Sequence, residues 1–183
     1  VGGGSAGYAA ARTAAAMGRR TVVIEGGAEV GGLCILRGCM PSKALLQAAE
    51  VRHLIQRAGV WGLRVKSAGF DFARVMAFKA GHIAEFADYR RRQLENGRFK
   101  FIRARASFAD SHTLRLTPLT TARHRPRARR LTARHIILAT GSVVAPPPLA
   151  ALEAAGYLTS DDVLSLPRLP RSLLVLGGGA IAC

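Results

Sequence analysis

The sequence has 183 residues, of which 49% are hydrophobic and 21% charged, and its formal net charge is +16. This length allows one domain with a sizeable core, or one domain and part of a second, and the composition excludes a disordered chain. No stretch approaches the roughly 18 consecutive apolar residues of a membrane-spanning helix, and residues 1–4 do not open a signal peptide. We therefore expect a cytoplasmic protein.

Arginine supplies almost all of the positive charge, and it is scattered along the chain apart from residues 90–92 and the stretch 123–134. A strongly basic chain can bind nucleic acid. Here, however, no aromatic residues interleave with the arginines to stack on bases. A nucleic-acid-binding module is therefore an alternative that charge alone raises, and we do not expect a membrane partner.

In chain order, the first predicted elements are a glycine-rich turn, a helix and a strand. Residues 8–17 are rich in alanine, the best helix former, and Gly18 is suited to end the helix. The β-branched run 21–24 indicates a buried strand that leads to Glu25. A glycine-rich loop over 26–32 follows the strand.

Two longer helices are predicted next. The first covers residues 40–58, and Pro41 falls in its first turn, where a missing N–H costs nothing. The second covers residues 72–96 and is ended by Gly97. Apolar positions recur at helical spacing in both, which indicates packing against a core. The predicted stripes are Leu45, Leu46, Ala49 and Leu54 in the first helix, and Phe72, Val75, Met76, Ile83, Phe86 and Leu94 in the second.

From residue 99 onward the pattern changes to short extended segments. These segments are 99–102, 113–116 and 135–138. Alternating hydrophobicity at 113–116 indicates an antiparallel strand with one exposed face. The basic residues 123–130 indicate an exposed turn between strands.

The last part of the chain contains a proline-rich connector over 146–171. After it, the apolar run 173–176 leads directly into three glycines. A second buried strand followed by a glycine turn is therefore predicted, like the unit that opens the chain.

Gly2, Gly4 and Gly7 fit the pattern G-x-G-x-x-G just before the first predicted helix. These glycines permit a tight turn, close approach of the backbone to a pyrophosphate, and packing of a helix whose N–H groups meet the phosphates. Glu25 ends the next predicted strand, about where an acidic residue binds a ribose hydroxyl pair. Together they indicate a dinucleotide-binding site.

The same turn also matches G-x-S-x-G, the nucleophile elbow of α/β-hydrolases, with Ser5 as the nucleophile. That hypothesis needs a histidine partner later in the chain, for which His112, His124 and His135 are candidates. It leaves Glu25 and the cysteines unexplained, so the dinucleotide site is the better supported prediction.

Cys34 and Cys39 lie in the run GGLCILRGCMPSK at residues 31–43. Without a secretion signal, a close pair indicates a catalytic or metal-binding role rather than a disulfide framework. Four intervening residues allow a loop to bring both sulfurs within bonding distance. Cys39 falls at the predicted helix N-terminus, where the dipole favours a thiolate. Lys43 adds a positive charge one turn later.

Two alternatives to a redox pair are a zinc site and a pair of buried, inert cysteines. A zinc site is weakly supported, because there is no second cysteine pair and the spacing differs from a zinc knuckle, so we expect no bound metal. Two buried, inert cysteines are common in general, but the neighbouring glycines and the Pro-Ser-Lys sequence argue against them here.

The run at 31–43 resembles the active-site signature of the class I pyridine nucleotide–disulfide oxidoreductases, the family of dihydrolipoamide dehydrogenase, mercuric reductase and glutathione reductase. The resemblance extends along the chain. Residues 2–7 and Glu25 match the FAD fingerprint of the family, and residues 139–142 match its second FAD contact. Residues 177–182 resemble the opening of its NAD(P) fingerprint.

The resemblance implies a role for each matching residue. Cys34 would be the interchange thiol that meets the substrate disulfide, and Cys39 would be the thiolate that faces the flavin. Lys43 would lie near the reactive edge of the flavin. The residues implied to contact FAD are Gly2, Gly4, Ser5, Gly7, Glu25, Gly32, Lys43, Ala106, Thr140, Gly141 and Ser142, and those implied to contact NAD or NADP are Gly177 and Gly179.

The resemblance also implies an α/β fold and its domain organisation. A Rossmann-like FAD-binding domain would cover residues 1–145, with a parallel sheet whose first strand is clipped, a helical insertion and an antiparallel β-meander. The connector would cover 146–171, and a second Rossmann-like domain, for NAD(P), would begin at 172–183. We expect the catalytic His–Glu pair of the family in a C-terminal domain outside this sequence.

The predicted function is that of an FAD-dependent, NAD(P)-linked disulfide oxidoreductase, present here as an N-terminal part. Residues 41–43 favour the dihydrolipoamide dehydrogenase or mercuric reductase branch over glutathione reductase. Leu33 replaces a usual threonine, which removes a hydroxyl contact, and Ala182 replaces a usual glycine with a tolerated small residue. We expect a homodimer that acts on a small-molecule or protein-bound disulfide. A non-catalytic FAD-binding module is the alternative.

Overall fold

The computed structural model of the chain describes residues 1–67, 69–119, 129–147 and 149–182. These residues form helices and strands in an α/β arrangement, as the sequence predicts. The chain divides into two compact units that interleave along the sequence. Unit 1 comprises Val1–Leu36 and Ala84–Ser142, and unit 2 comprises Arg37–Ile83 and Val143–Cys183. The domain boundaries predicted near residues 145 and 171 stay a prediction.

Unit 1 is built around four strands that are joined edge to edge in the order β1-β2-β3-β4. Strand β1 (Val22–Glu25) pairs in parallel with the first part of β2 (Lys100–Asp110). The later part of β2 pairs antiparallel with β3 (Thr113–Pro118), which pairs antiparallel with β4 (Arg129–Thr132). Strand β2 therefore belongs to a parallel pair and to an antiparallel meander, and it is longer than the predicted segment 99–102.

Alternation along β3 explains why the meander has one covered face. Leu114 and Leu116 are buried, whereas Arg115 between them is exposed, because successive side chains of a strand point to opposite faces. The prediction of an antiparallel strand with one exposed face is therefore confirmed. The two leucines form a hydrophobic cluster with Ile24 of β1 and Ala104 of β2.

Helix α1 (Ser5–Ala16) packs Tyr8 and Ala11 into a second hydrophobic cluster of unit 1. The Tyr8 ring meets the ring of Phe99 edge-on, with the ring centroids 6.5 Å apart. Gly18 follows the helix at φ +72°, a left-handed conformation that favours glycine. The predicted helix and its stop are both confirmed.

Helix α4 (Phe72–Glu95) ends in the same cluster, close to the predicted end at Gly97. Leu94, in its last turn, is fully buried. A Cβ added to Gly3 would lie 3.3 Å from Cδ1 of Leu94, so this leucine packs directly against the glycine turn. Of the predicted stripe, Leu94 is buried, Phe72, Val75, Met76 and Ile83 are half-buried, and Phe86 is exposed.

Two helices follow the glycine-rich loop. Helix α2 (Gly32–Arg37) is short, and α3 (Cys39–Gln56) begins directly after Gly38. The helix predicted over 40–58 is confirmed, with Pro41 buried in its first turn. Its predicted core-facing stripe is wrong for three of four residues, because no described side chain of unit 2 covers them. Leu45 is half-buried, whereas Leu46, Ala49 and Leu54 are exposed.

The predicted connector contains two short helices of unit 2, α5 (Ala150–Ala155) and α6 (Ser160–Val163). Gly156 follows α5 at φ +72°. The buried ammonium group of Lys79, on α4, donates a hydrogen bond to the carbonyl of Leu164 just beyond α6. Burial lowers the pKa of Lys79. This contact joins two parts of unit 2 that are distant in sequence.

Two predicted strands are not formed in the described part of the chain. Residues 173–176 are exposed, with Leu174 at 92% of its full accessibility, because no described strand pairs with them. Residues 135–138 are extended but form no regular strand. None of the described helices is long and apolar enough to cross a membrane.

The basic turn predicted over 123–130 is partly replaced by a strand. Arg129 and Arg130 are the first two residues of β4, and Arg130 lies opposite Arg115 of β3. Residues 123–128 lie outside the described ranges, so the remainder of that prediction has no structural counterpart here.

We expect Leu94→Ala to lower the free energy of unfolding by about 2–5 kcal/mol, because it removes a fully buried side chain from a cluster that supports the glycine turn. Met17, at the end of α1, is 67% exposed. Its change to alanine is the matched control, and it should cost less than about 0.5 kcal/mol. Denaturant unfolding of the full-length protein measures both, and equal losses would contradict the packing described.

Candidate functional site

The glycine turn at residues 2–4 leads into α1 without a side-chain cap. Gly4 immediately precedes the helix, and no side-chain hydrogen bond caps its first turn among the described residues. The 12-residue helix therefore presents open N–H groups and the positive end of its dipole at Ser5. Such an end suits a phosphate group. The predicted helix after the glycine pattern is confirmed, and its ligand stays a proposal.

Backbone atoms approach each other closely around this turn. A Cβ added to Gly7 would lie 1.8 Å from the carbonyl oxygen of Gly2, and one added to Gly32 would lie 2.5 Å from Cα of Gly4. Real side chains cannot occupy either place. Gly32 also has φ +74°, which disfavours any side chain. The loop before α2 and the turn before α1 therefore meet main chain to main chain, and only glycine permits it.

A third segment, residues 137–139, also contacts the chain beside the glycine turn. The Val1 amino group donates to the carbonyl of Ile137 over 2.7 Å, and the Ala139 N–H donates to the carbonyl of Val1 over 2.8 Å. On the other side, the Gly2 N–H donates to the carbonyl of Ile24 over 2.7 Å. The segment at 137–139 therefore lies beside the start of the chain, which in turn lies beside β1.

The predicted second FAD contact follows this segment. A Cβ on Gly2 would lie 2.0 Å from the carbonyl oxygen of Ala139. Thr140, Gly141 and Ser142 come next and are exposed, with Gly141 at φ +75°. Two motifs that are more than 130 residues apart in sequence thus begin at the same point of unit 1.

Glu25 is oriented by two backbone groups. Its Oε2 accepts a hydrogen bond from the N–H of Gly3, and its Oε1 accepts one from the N–H of Gly27, each over 2.6 Å. A carboxylate offers about four lone-pair positions. Two therefore remain for hydroxyl donors such as those of a ribose. The predicted ribose residue thus lies at the glycine turn, in a defined orientation.

Ala106 lies on β2, opposite Leu116 of β3, and is half-buried. The turn after Glu25 packs on the same strand, because a Cβ on Gly26 would lie 3.1 Å from the carbonyl oxygen of Ala104. The predicted adenine-contacting residue is therefore two positions along β2 from the turn that carries the predicted ribose residue. The adenine contact itself stays a prediction.

The two cysteines lie in different units. Cys34 is half-buried in the middle of α2, and the loop expected between the cysteines is instead this short helix followed by Gly38. Cys39 is exposed and is the first residue of α3, as predicted. Ser42 closes the first turn by donating from Oγ to the carbonyl of Gly38 over 2.8 Å.

Lys43 follows one turn after Cys39 on α3 and is exposed. The side chains of Cys39 and Lys43 therefore start from the same side of the helix, since residues four apart are neighbours on a helix surface. Cys39 lies at the positive end of an 18-residue helix.

The residues predicted to contact NAD or NADP are in unit 2. Gly177 has φ +122°, and the N–H of Ala182 donates to the carbonyl of Gly179 over 2.9 Å, which forms one turn. Both glycines are exposed. The described residues do not continue this turn into a helix.

Arg103 is a site residue that sequence analysis does not single out. It is the register partner of Glu25 across the parallel pair β1–β2, and its NH2 donates to the carbonyls of Gly27 and Ala28. The residues that pair between β1 and β2 are 78 positions apart in sequence. No local pattern therefore signals that this arginine reaches the turn after Glu25.

Two alternatives raised by the sequence are a metal site and a hydrolase centred on Ser5. No group of three potential metal ligands comes together in them. His112 lies at the β2–β3 turn, where its Nδ1 is 3.2 Å from the carbonyl oxygen of Ala133. His124 lies outside the described residues. Among the described residues, neither His112 nor His135 makes a hydrogen bond with Ser5.

The residues of unit 1 fit a dinucleotide such as FAD. An uncapped helix N-terminus suits a pyrophosphate, the glycine contacts leave main chain rather than side chains lining the turn, and a carboxylate with spare lone pairs suits a ribose. The glycines at 4 and 32 are required for a different reason, because a Cβ on Gly32 would clash with the backbone of Gly4 and push the two segments apart.

Known proteins align with the whole length of the chain. Dihydrolipoyl dehydrogenase of Bacillus subtilis (strain 168) is 31% identical over 185 residues, covering 100% of this chain and 39% of that protein. Mercuric reductase of Staphylococcus aureus is 32% identical, covering 100% of this chain and 31% of that protein. Glutathione reductase of Burkholderia cepacia is 31% identical, covering 100% and 38%. The chain spans less than two fifths of the length of these relatives.

Solved structures have the same fold. The HOCl-induced flavoprotein disulfide reductase RclA of Escherichia coli matches with a TM-score of 0.74 at 28% identity, over 99% of this chain and 36% of that chain. The Cu(II) complex of that protein matches equally, with a TM-score of 0.74 at 29% identity.

A family model described as pyridine nucleotide-disulphide oxidoreductase matches residues 1–183, the entire sequence. The match agrees with the glycine turn, the Cys34–Cys39 run and the relatives named above. Members of this family are flavoproteins that use FAD and NAD(P)H. The chain belongs to the pyridine nucleotide–disulphide oxidoreductase family.

Proposed function

We propose that the full-length protein is an FAD-dependent, NAD(P)-linked disulfide oxidoreductase with Cys34 and Cys39 as its redox-active pair. The observation that carries the proposal is the convergence in unit 1 of the glycine turn, Glu25 and the segment at 139–142, since it brings an uncapped helix N-terminus and a carboxylate to one place, here called the cradle, as a dinucleotide requires. The cysteine pair lies on the two helices that directly follow the glycine-rich loop.

Each part of the cradle has its own task in the proposal. The first turn of α1, from Ser5 onward, binds the pyrophosphate through its N–H groups, and Glu25 binds the ribose hydroxyls. Ala106 contacts the adenine through its backbone, and residues 140–142 line the cofactor on the opposite side. FAD, when bound, supplies the two-electron carrier between the nicotinamide nucleotide and the cysteines.

The cysteines carry out the exchange with the substrate. The Cys34 thiolate attacks one sulfur of the substrate disulfide, which forms a mixed disulfide and releases the first substrate thiolate. The Cys39 thiolate then attacks the Cys34 sulfur, which forms the Cys34–Cys39 disulfide and releases the second thiolate. Two protons complete the two product thiols, and two electrons have passed from the cysteines to the substrate. NAD(P)H restores the dithiol. With a dithiol substrate such as dihydrolipoamide the same exchange runs in reverse, and the two electrons pass from the substrate to NAD+.

Exposure of Cys39 at the start of α3 supports its role as the thiolate of the pair. Its sulfur is accessible, and Lys43 starts from the same side of the helix one turn later. Cys34, in the middle of the short α2, is the half-buried partner. Gly177 and Gly179 are proposed to contact the nicotinamide nucleotide.

Among family members, we propose a dihydrolipoamide dehydrogenase-like activity, because the residues after Cys39 are Pro41, Ser42 and Lys43. A mercuric or other disulfide reductase is the runner-up. NAD+-dependent oxidation of dihydrolipoamide by the full-length dimer supports the first. Reduction of Hg(II) by NADPH, without oxidation of dihydrolipoamide, supports a mercuric reductase.

Replacing Cys39 by serine should remove the long-wavelength absorption band that a thiolate beside oxidised flavin produces on two-electron reduction. Cys34→Ser is the matched control, and it should keep a band while losing disulfide reduction. Titration of the full-length holoenzyme with dithionite, followed by absorbance, measures both. A band that survives in Cys39→Ser, or is absent from wild type, would overturn the proposed roles.

Glu25→Gln should raise the Kd for FAD by about tenfold to a hundredfold, because an amide presents one oxygen and one NH2 to two backbone N–H donors and weakens the ribose contact. Glu85→Gln, on the exposed surface of α4, should leave the Kd unchanged. Flavin fluorescence of the reconstituted full-length protein gives both values. Equal affinities in the two variants would remove Glu25 from the site.

A further inference from the structure

The turn after β1 is held by two side chains from adjacent strands. Glu25 ends β1, and Arg103 is its register partner on β2. Both belong to unit 1. Side chains in register on neighbouring strands start from the same side of a sheet. The carboxylate of Glu25 and the guanidinium of Arg103 therefore both lie on the side of this turn.

Both side chains reach the same residue, Gly27. Oε1 of Glu25 accepts from the Gly27 N–H over 2.6 Å. NH2 of Arg103 donates to the Gly27 carbonyl over 2.5 Å and to the Ala28 carbonyl over 2.9 Å. The N–H of Gly27 is thus hydrogen-bonded to the carboxylate of Glu25, and the carbonyl of Gly27 is hydrogen-bonded to the guanidinium of Arg103. We call Glu25, Arg103 and the backbone of residues 27–28 the Gly27 clamp.

The turn has no side-chain anchor of its own at its first two positions. A Cβ on Gly26 would lie 3.1 Å from the carbonyl oxygen of Ala104, and one on Gly27 would lie 3.0 Å from Oε1 of Glu25. Glycine keeps these approaches possible but leaves the backbone with the largest conformational freedom of any residue. The Gly27 clamp is what restricts that freedom.

We propose that Arg103 is a positioning residue for the adenosine part of FAD, an inference that rests on the proposed function. Arg103 acts through the Gly27 clamp: it orients the peptide of Gly27, whose N–H orients the carboxylate of Glu25 toward the ribose. Without Arg103, the two carbonyls lose their charged donor, and Glu25 loses the restraint on Oε1. The redox chemistry at the cysteines is not part of this role.

Arg103 makes both contacts through one terminal nitrogen, NH2, which serves the carbonyls of two successive residues. NH1 of Arg103 is buried and has no hydrogen-bond partner among the described residues. An unpartnered buried donor is unfavourable, so the contacts through NH2 and the packing of the chain determine where the guanidinium lies.

The test compares Arg103→Met and Arg103→Lys in the full-length protein with Arg115→Met. Arg115 is an exposed arginine on β3 and does not belong to the Gly27 clamp. The measurements are the Kd of the FAD-free protein for FAD and for ADP, kcat at saturating FAD, and the thermal midpoint of the FAD-free protein. ADP is the probe because it carries the adenosine without the flavin ring.

We expect Arg103→Met to raise the Kd for FAD about tenfold or more, and the Kd for ADP by a similar factor, because it removes charge-assisted bonds to two carbonyls. Arg103→Lys should fall between wild type and Arg103→Met. Arg115→Met should match wild type. At saturating FAD, kcat should stay within about twofold of wild type, since the bound flavin and the cysteines are unchanged.

A merely structural role would lower the thermal midpoint of the FAD-free protein and leave the Kd for ADP unchanged, and this result would overturn the proposal. So would a Kd for FAD equal to that of Arg115→Met. If Arg103→Met does not fold, Arg103→Gln decides, because wild-type affinity for ADP in that variant contradicts the need for a charged donor at the two carbonyls. Wild-type protein that takes up no FAD would instead refute the proposed function, and this inference with it.

Discussion

Contact of main chain with main chain around Gly2, Gly4, Gly7 and Gly32 is the constraint on which the rest of unit 1 depends. At three of these positions a Cβ would lie between 1.8 and 2.5 Å from a backbone atom, a separation that no real side chain occupies. The constraint brings the start of α1 against the loop before α2. Leu94, at the end of α4, is fully buried against the same turn and excludes water from behind it.

A turn without side chains offers a ligand only backbone donors and a helix end, so specificity must come from its neighbours. In this chain the neighbours are Glu25, held by two N–H groups, and Arg103, which holds the carbonyls of the following turn. The polar side chains thus act mainly on the backbone that surrounds the cradle. The redox chemistry is assigned to the next two helices, where Cys39 occupies the first position of α3. In the proposed function, binding and electron transfer therefore rest on separate elements.

Local patterns predicted α1, α3, α4 and the alternation of β3, because each depends on residues close in sequence. The glycine turn and Glu25 were also predictable, since the dinucleotide pattern records both. Pairing between distant segments could not be predicted from local patterns. The length of β2 and the contacts of Arg103 depend on β1 and on the turn that follows it. The run 173–176 was predicted as a buried strand from hydrophobicity alone, yet burial of a strand requires partner strands, and no described segment pairs with it.

Hydrogen–deuterium exchange of the full-length protein, with and without FAD, tests the central claim most directly. If the glycine contacts form the cofactor cradle, FAD should slow exchange together at residues 2–7, 26–28 and 139–142, which are far apart in sequence but meet in unit 1. The exposed strand β4 should serve as the internal reference, with unchanged exchange. Protection that is absent from these three segments, or that falls mainly on β3 and β4, would contradict the account.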